Sequence, residues 1–425
     1  MINGRYPQPV VEAARQFPEA FQEEIAYAGP LAVAWAPGRV NIIGEHTDYN
    51  DGYVLPLAVD RVSAFAGRKR QDKTVRLWSA HFQAYAQFTL EDLPASFEAQ
   101  RQTLPGWARY VLGVATELTR VGIALSGFDA TLTGDVPLGG GMSSSASLEV
   151  ATAYACLQFA DGQHSIGDGG RLTKMEVAAL CQRAEQIASG VMCGILDQAA
   201  SCLGEPGKTA LLDCRSLAYH YYPFEDPEVT IVVIDTSVRH DLAETAYNER
   251  REQCEEATCL LREAILNAEP ENSSASEIKA LRDITPEQFE RYQYVLSEVL
   301  RKRAGYVVAE DARVLRVVEA LKQNDFGIVG AILWDGHAGL RDEYEVSCPE
   351  LDVLVDIAQQ VPGVLGGRMM GGGFGGCTVN LVRREAVDAL TQAVEQQYFP
   401  RTGRHASIDI CRAAGGPGMA VWEAE

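Results

Sequence analysis

Short apolar runs broken by glycine and proline dominate the first third of the chain. Leu31–Ala36 (LAVAWA) reads as a strand ended by Pro37-Gly38. Val54–Val59 (VLPLAV) and Thr74–Trp78 (TVRLW) read the same way, and the proline in the first marks an edge or bend. Phe128–Thr133 (FDATLT) alternates as a strand, and beyond it Leu148, Ala151 and Leu157 form a helical apolar stripe. Thr173 with Glu176 is a capping-box pattern, so a helix is predicted over Thr173–Ser189 and stopped by Gly190. Strands are predicted at Thr209–Asp213, Val229–Ile234, Thr378–Val382 and Ala406–Ile410, and long charged helices at Leu242–Ala268 and Phe289–Lys322. Ala160–Thr173 and Asn267–Ala280 carry turn formers and read as surface loops. Strands and helices mix in both halves, which makes the class α/β or α+β. Length points to two domains, since 425 residues exceed one typical core. The boundary is expected near 215–230, dividing the chain into 1–220 and 221–425.

Charge narrows the partners. A formal net charge of -21 opposes contact with a phosphate backbone or an anionic membrane surface. Neither a nucleic acid nor a membrane is therefore expected. No apolar run is long enough for a transmembrane helix. The opening MINGRYPQPVVEAARQ lacks the apolar centre of a signal peptide, so a cytoplasmic protein is expected. The 10 cysteines show no C-x-x-C pair and read as reduced, small core residues. A monomer or weak oligomer is expected.

Candidate chemistry concentrates in a few clusters. VPLGGGMSSSASLEVA (Val136–Ala151) is a glycine turn running into a helix start. Glycines allow close backbone approach to a phosphate, and the first N–H groups of a helix point at it. Serine hydroxyls add donors and can offer an oxygen to Mg²⁺. A glycine turn followed by serine caps is the plainer alternative. The P-loop lysine is absent. Gly371–Gly376 (GGGFGG) matches a dinucleotide-binding spacing, but it runs into the strand-like CTVNLV and reads as a tight turn. APGRVNIIGEHTDYNDG packs Arg39, Glu45, His46, Asp48, Tyr49 and Asn50 beside glycines, a set able to bind several hydroxyls or, alternatively, a charged surface turn. Asp197 sits in the charge-free GVMCGILDQAASCLG, where a carboxylate is either misplaced or useful. Glu185 alone reads as a solvated helix acid, and Tyr247 equally well as a core aromatic.

Taken together, PGRVNIIGEHTDYNDGYVLP, GDVPLGGGMSSSASLEVA, CGILDQAASCLG with LLDCRSL, SVRH with the later RREQCEEA, LRDEYEVSCPELD and GGGFGGCTVNLV resemble the GHMP family of small-molecule kinases, and within it the galactokinases. The resemblance implies a two-lobed α/β (α+β) fold with the active site between the lobes. It places the phosphates of ATP along Gly139, Gly140, Gly141, Met142, Ser143, Ser144 and Ser145, and Mg²⁺ at Ser145 and Glu185. It assigns a sugar to Glu45, His46, Thr47, Asp48, Gly194 and Tyr247. Asp197 matches the family's catalytic aspartate and Arg39 its partner. The implied reaction is phosphorylation of the anomeric hydroxyl of galactose. Two departures stand out. Met370 occupies a position where the family carries threonine, and Ala199-Ala200 stand where larger apolar residues are usual. Both are expected to reshape the pocket. The alternatives are a kinase for N-acetylgalactosamine, arabinose or a uronic acid, and a non-catalytic sensor. The intact EHTD run argues against a uronate, and the complete Ser143–Ser147 run argues against a sensor.

Overall fold

The computed structural model describes residues 6–21, 30–139, 141–160, 166–167, 169–239, 243–269 and 276–423. Its strands, in chain order, are β1 (Ala32–Asn41), β2 (Tyr53–Val54), β3 (Pro56–Lys69), β4 (Thr74–Ser79), β5 (Ala84–Thr89), β6 (Phe128–Gly134), β7 (Lys208–Asp213), β8 (Tyr219–Pro223), β9 (Val229–Asp235), β10 (Val364–Met370), β11 (Cys377–Arg383), β12 (Ser407–Cys411) and β13 (Gly418–Val421). Its α-helices are α1 (Gln8–Ala20), α2 (Phe97–Thr103), α3 (Gly106–Arg120), α4 (Ser144–Phe159), α5 (Lys174–Ser189), α6 (Leu196–Leu203), α7 (Ala243–Ala268), α8 (Pro286–Tyr292), α9 (Glu298–Lys322), α10 (Phe326–Asp342), α11 (Pro349–Gln359) and α12 (Val387–Thr402). The mixed class expected from the sequence is the one observed.

Alternation along β1 decides how the first layer packs. Ala32, Ala34 and Ala36 face a core built with α3, α4, α5 and α6, while Val33 faces α1 on the opposite side. Small alanines let α4 sit close to the sheet. That sheet has six strands in the order β13-β1-β3-β6-β4-β5, so the last strand of the chain pairs with the first. A second sheet, β10-β11-β9-β12, is buried on both faces. Ile231 and Val233 of β9 join one apolar cluster, and Val232 and Ile234 join another with α11 and α12. The first of these clusters also takes in Val40, Ile42, Leu55, Val136 and Met142, so apolar packing is continuous across the middle of the molecule. A three-stranded sheet, β2-β7-β8, lies beside it. Its third strand falls within the CRSLAYHYYPFEDPE segment.

Several local readings change. Pro37-Gly38 does not end the first strand: β1 runs on to Asn41 through a register shift between Pro37 and Arg39. Side-chain hydroxyls fasten this bulge, with Ser147 donating to the Ala36 carbonyl at 2.8 Å and Ser201 to the Pro37 carbonyl at 2.7 Å. Pro56 opens the central strand β3, where a missing N–H is tolerated. Helix α4 is buried almost all round rather than along one stripe, because it lies between the sheet and other helices. The region read as one helix from Phe289 to Lys322 is two, since Ser297 starts α9 afresh by capping the Leu300 N–H at 3.3 Å. The capping box at Thr173–Glu176 and the left-handed stop at Gly190 are present as read. Gly371–Gly376 is a turn between β10 and β11, also as read.

Helix α10 seats on β10 through facing glycines. A Cβ added at Gly330 would lie 2.1 Å from the Leu365 carbonyl oxygen. Gly330→Ala is therefore expected to lower unfolding stability by about 2 kcal/mol, from overpacking. Urea denaturation measures this, and an unchanged midpoint would mean that helix and strand are not in contact there.

Candidate active site

Strand β1 ends by delivering two consecutive same-face side chains, Arg39 and Asn41, into the middle of the molecule. Arg39 is 4 % exposed. Its Nε donates to Asp197 Oδ1 at 2.7 Å, and its Nη2 lies 2.6 Å from the same oxygen. Its remaining Nη1 donates to the Gly141 carbonyl, and its backbone N–H donates to the Met142 carbonyl at 3.1 Å. Asp197 stands in the first turn of α6, at the positively polarised end of the helix. Its other oxygen, Oδ2, accepts from the Ser143 hydroxyl. Ser143 precedes α4 in the left-handed region (φ 53), without capping the helix with its own side chain. That backbone turn aims its hydroxyl at Asp197 instead. The glycine-serine loop and the aspartate thus face each other directly.

The loop lines a cavity of ≈380 Å³ with Gly139, Gly141, Ser143, Ser144 and Ser145, opposite Arg39, Asp197 and the Gly371–Gly376 turn. Gly139 and Gly141 hold φ of 64° and 75°, which favours glycine. Gly140 lies outside the described residues. Met142 turns away from the cavity into the core. Arg239, bonded to Asp235 at 2.6 Å and donating to the Leu138 carbonyl at 3.2 Å, completes the wall.

A smaller cavity of ≈170 Å³ adjoins it. Asn41, Glu45, His46, Asp48, Glu185, Cys193, Gly194 and Tyr247 line it, together with the same Arg39 and Asp197. Gly194 is there because Asp48 comes so close: an added Cβ would sit 1.9 Å from Asp48 Oδ2. His46 Nδ1 lies 2.8 Å from the Tyr49 hydroxyl, which in turn meets Tyr344 at 2.7 Å. The Tyr247 ring leans on His46 and Tyr49, with centroids 5.4 and 5.3 Å away. Glu45 is buried against Arg368, and its Oε1 accepts from the Gly371 N–H at 3.3 Å. Thr47 is buried outside this lining, its hydroxyl shared by the Gly44 and Tyr53 carbonyls at 2.8 and 2.7 Å.

Acidic groups crowd this centre. Burial, and then the charge of Asp197, pushes the Asp48 carboxyl up to about 6 and the Glu185 carboxyl up to about 7. Burial, and then Glu185, holds Glu149 well above the usual range. Gln198 bridges these two acids through its amide nitrogen. Burial, and then Arg250, pushes the His46 imidazole down to about 3, so it is neutral near pH 7.

Other side chains at the site escaped the sequence reading. A cavity of ≈600 Å³ shares Gly139, Ser144 and Ser145 with the ≈380 Å³ one. Phe82, Trp107, Tyr110 and Leu138 supply its apolar walls. Trp107 and Tyr110 lie on α3, where an aromatic on a helix carries no signal separating a wall from a core. Met370 does reach the site: it lines the ≈380 Å³ cavity and accepts the Asn41 N–H on its sulfur at 3.3 Å. Ala199 and Ala200 do not, being buried in the body of α6 away from the cavities described.

Comparison with known proteins finds matching family models, relatives and solved structures. The galactokinase galactose-binding signature matches residues 16–69, the GHMP kinase N-terminal domain 109–205 and the GHMP kinase C-terminal domain 317–401. A galactokinase from Chloroflexus aurantiacus is 42% identical over 397 residues, covering 93% of this chain and 95% of that one. The human galactokinase is 40% identical over 413 residues, covering 97% of each. The crystal structure of Lactococcus lactis galactokinase complexed with galactose superposes with a TM-score of 0.82 at 33% identity, covering 95% of this chain and 98% of that one. Methanococcus jannaschii mevalonate kinase shares the fold, with a TM-score of 0.60 at 17% identity and coverage of 90% and 98%.

The acid crowding has a sign that can be measured. Asp48 gives up its proton near 3.8 when unfolded but holds it to about 6 when folded. The folded state binds more protons in that window, so this group lowers stability as pH rises through it. Asp48→Asn is expected to stabilise the protein by about 1–2 kcal/mol at pH 7 and to have little effect near pH 4. Urea midpoints at the two pH values check this. An equal effect at both would remove Asp48 as the titrating group.

Proposed function

This chain belongs to the galactokinase family of the GHMP kinases, phosphotransferases with an alcohol acceptor, and we propose that it transfers the γ-phosphoryl group of ATP to the anomeric hydroxyl of D-galactose to give α-D-galactose 1-phosphate. One observation carries the assignment of residues. Arg39 and Asp197 line both the ≈170 Å³ cavity and the ≈380 Å³ cavity, so the ion pair stands where the two meet. Sugar on one side and phosphates on the other bring acceptor and donor together at that pair.

In this reading the sugar occupies the smaller cavity, against Glu45, His46, Asp48, Gly194 and Tyr247. Thr47 acts indirectly, by holding the loop that carries Glu45, His46 and Asp48. The incoming anomeric hydroxyl takes the place of the Ser143 hydroxyl on Asp197 Oδ2. Asp197 then accepts or orients its proton, while Arg39 keeps Oδ1 occupied and offers positive charge to the attacking oxygen and the moving phosphoryl group. The phosphates lie along Gly139–Ser145, held by backbone N–H groups and the start of α4, with Arg239 as an additional cation. The base occupies the aromatic cavity beyond, between Trp107, Tyr110 and Phe82. Such a site works by positioning and electrostatics, with little covalent chemistry for the protein to perform.

Mg²⁺ fits the donors present. Burial raises the carboxyls of Glu185 and Glu149, with the charge of Asp197 adding to the first and that of Glu185 to the second, a setting that a divalent cation relieves. Ser145 donates to Glu185, which brings two hard oxygen ligands together. Among the described residues no group of His, Cys, Asp and Glu side chains forms a complete metal cage. Phosphate oxygens and water supply the remaining ligands in a site of this type. When bound, the ion neutralises charge on the β- and γ-phosphates.

Against a panel of free monosaccharides, ATP consumption by the purified protein is expected to be greatest with galactose. A stronger response to another sugar, or none to any, would overturn the reading. Asp197→Ala is expected to lower kcat about a thousandfold or more, while sugar affinity changes far less. Retained turnover would remove Asp197 from its role. Trp107→Ala is expected to raise KM for ATP about tenfold and leave KM for galactose within about twofold. The reverse pattern would place the base elsewhere.

A further inference from the structure

The last residue of β1 carries polarity that no described residue uses. Asn41 is 1% exposed, and among the described residues neither its Oδ1 nor its Nδ2 has a hydrogen-bond partner. Buried amides left unpaired are rare and unfavourable, so each calls for a partner. This one lines the ≈170 Å³ cavity with Glu45, His46, Asp48 and Asp197. His46 lines the same cavity.

The backbone makes this placement independent of the amide. Arg39 and Asn41 lie on one face of the strand, roughly 7 Å apart along it, while Val40 between them points into the core. The Asn41 N–H is taken by the Met370 sulfur at 3.3 Å, and its register partner across the sheet is Pro56. The strand end is therefore held by main chain and thioether, which leaves the side chain available. Arg39 reaches the reacting end of the cavity, and Asn41 sits one strand repeat further on.

We propose that Asn41 is a further sugar-binding residue, whose amide both donates to and accepts from a hydroxyl other than the anomeric one. The proposal rests on reading this cavity as the sugar site. An ionised carboxylate only accepts, and a neutral imidazole whose Nδ1 is engaged offers a single nitrogen. Asn41 supplies a donor and an acceptor on one rigid group, which suits a hydroxyl that does both. A sugar lacking that hydroxyl would leave the amide unpaired again, so the residue confers selectivity as well as affinity.

The test is steady-state kinetics of wild type, Asn41→Ala and Asn41→Leu with galactose and with galactoses lacking the hydroxyl at C2, C3, C4 or C6. Both variants are expected to raise KM for galactose roughly tenfold while KM for ATP stays within about twofold. For one deoxy sugar, the wild type and the variants should coincide, which identifies the hydroxyl. Leucine has nearly the shape of asparagine without the unpaired amide. If Asn41 were only structural, Asn41→Leu would unfold at higher urea and leave KM for galactose unchanged, and that result overturns the proposal. A penalty that persists with every deoxy sugar overturns it too. Should either variant fail to fold, Asn41→Ser is read by the same criteria. If the wild type does not phosphorylate galactose at all, it is the sugar-site reading that falls, whatever the variants do.

Discussion

The Arg39–Asp197 ion pair is the constraint on which the rest of the site depends. It joins positions 158 apart in sequence, and the same guanidinium holds the Gly141 carbonyl, 102 positions from it. One side chain thus gathers the end of a strand, the start of a helix and the glycine loop. A guanidinium this deeply buried is tolerable only when its donors are matched, and here three are. Asp197 is matched in the same way by Ser143.

A second buried network fixes the floor under the loop after β1. Arg368 of β10 is fully buried between Glu45 and Glu310, and Glu310 also takes the Gly44 N–H at 3.0 Å and the Arg313 guanidinium at 2.9 Å. Burial pushes Arg368 down to about 9, still charged at neutral pH. The loop after β1 is therefore tied to β10 and α9 by charges that cannot be separated without leaving one uncompensated. Such fastening allows backbone that would not persist alone. His46 and Asp51 hold φ of 64° and 59°, and non-glycine residues in that region persist where surrounding contacts overdetermine them.

What could be read from the chain follows from how local each signal is. The capping box at Thr173, the later strand runs and the Gly371–Gly376 turn rest on neighbouring residues, and they stand where the pattern put them. Pro37-Gly38 misled because a bulge absorbed both residues, held by serines from α4 and α6 that no local pattern reveals. Helix α10 passed unread, because its buried glycines and His337 blur the apolar period. At the site, the residues that bring chemistry in one cluster were legible together. Those contributing a wall or a single unpaired amide, such as Trp107, Tyr110 and Asn41, were not. Nothing in a sequence tells a cavity wall from a core when both are aromatic or when a polar residue sits at a strand end. Met370 was legible as a departure, but its use as an acceptor for the Asn41 N–H needed three dimensions.

The missing P-loop lysine finds its physical answer in this arrangement. A lysine within the loop would place a mobile charge on the phosphates from their own cradle. Here the cations arrive from outside it, Arg39 from β1 and Arg239 from the segment after β9, each held by a carboxylate that fixes its direction. A guanidinium so held points several donors along set lines, whereas an ammonium offers a point charge on a flexible stem. The loop itself is then free to consist of glycine and serine, whose task is close backbone approach. The arrangement also couples the two ends of the cleft. In the proposed reading, the residue that faces the phosphates is the one that grips Asp197, so donor and acceptor are aligned by the same side chain. A lysine in the loop would have no bond to the sugar end and could not enforce that alignment.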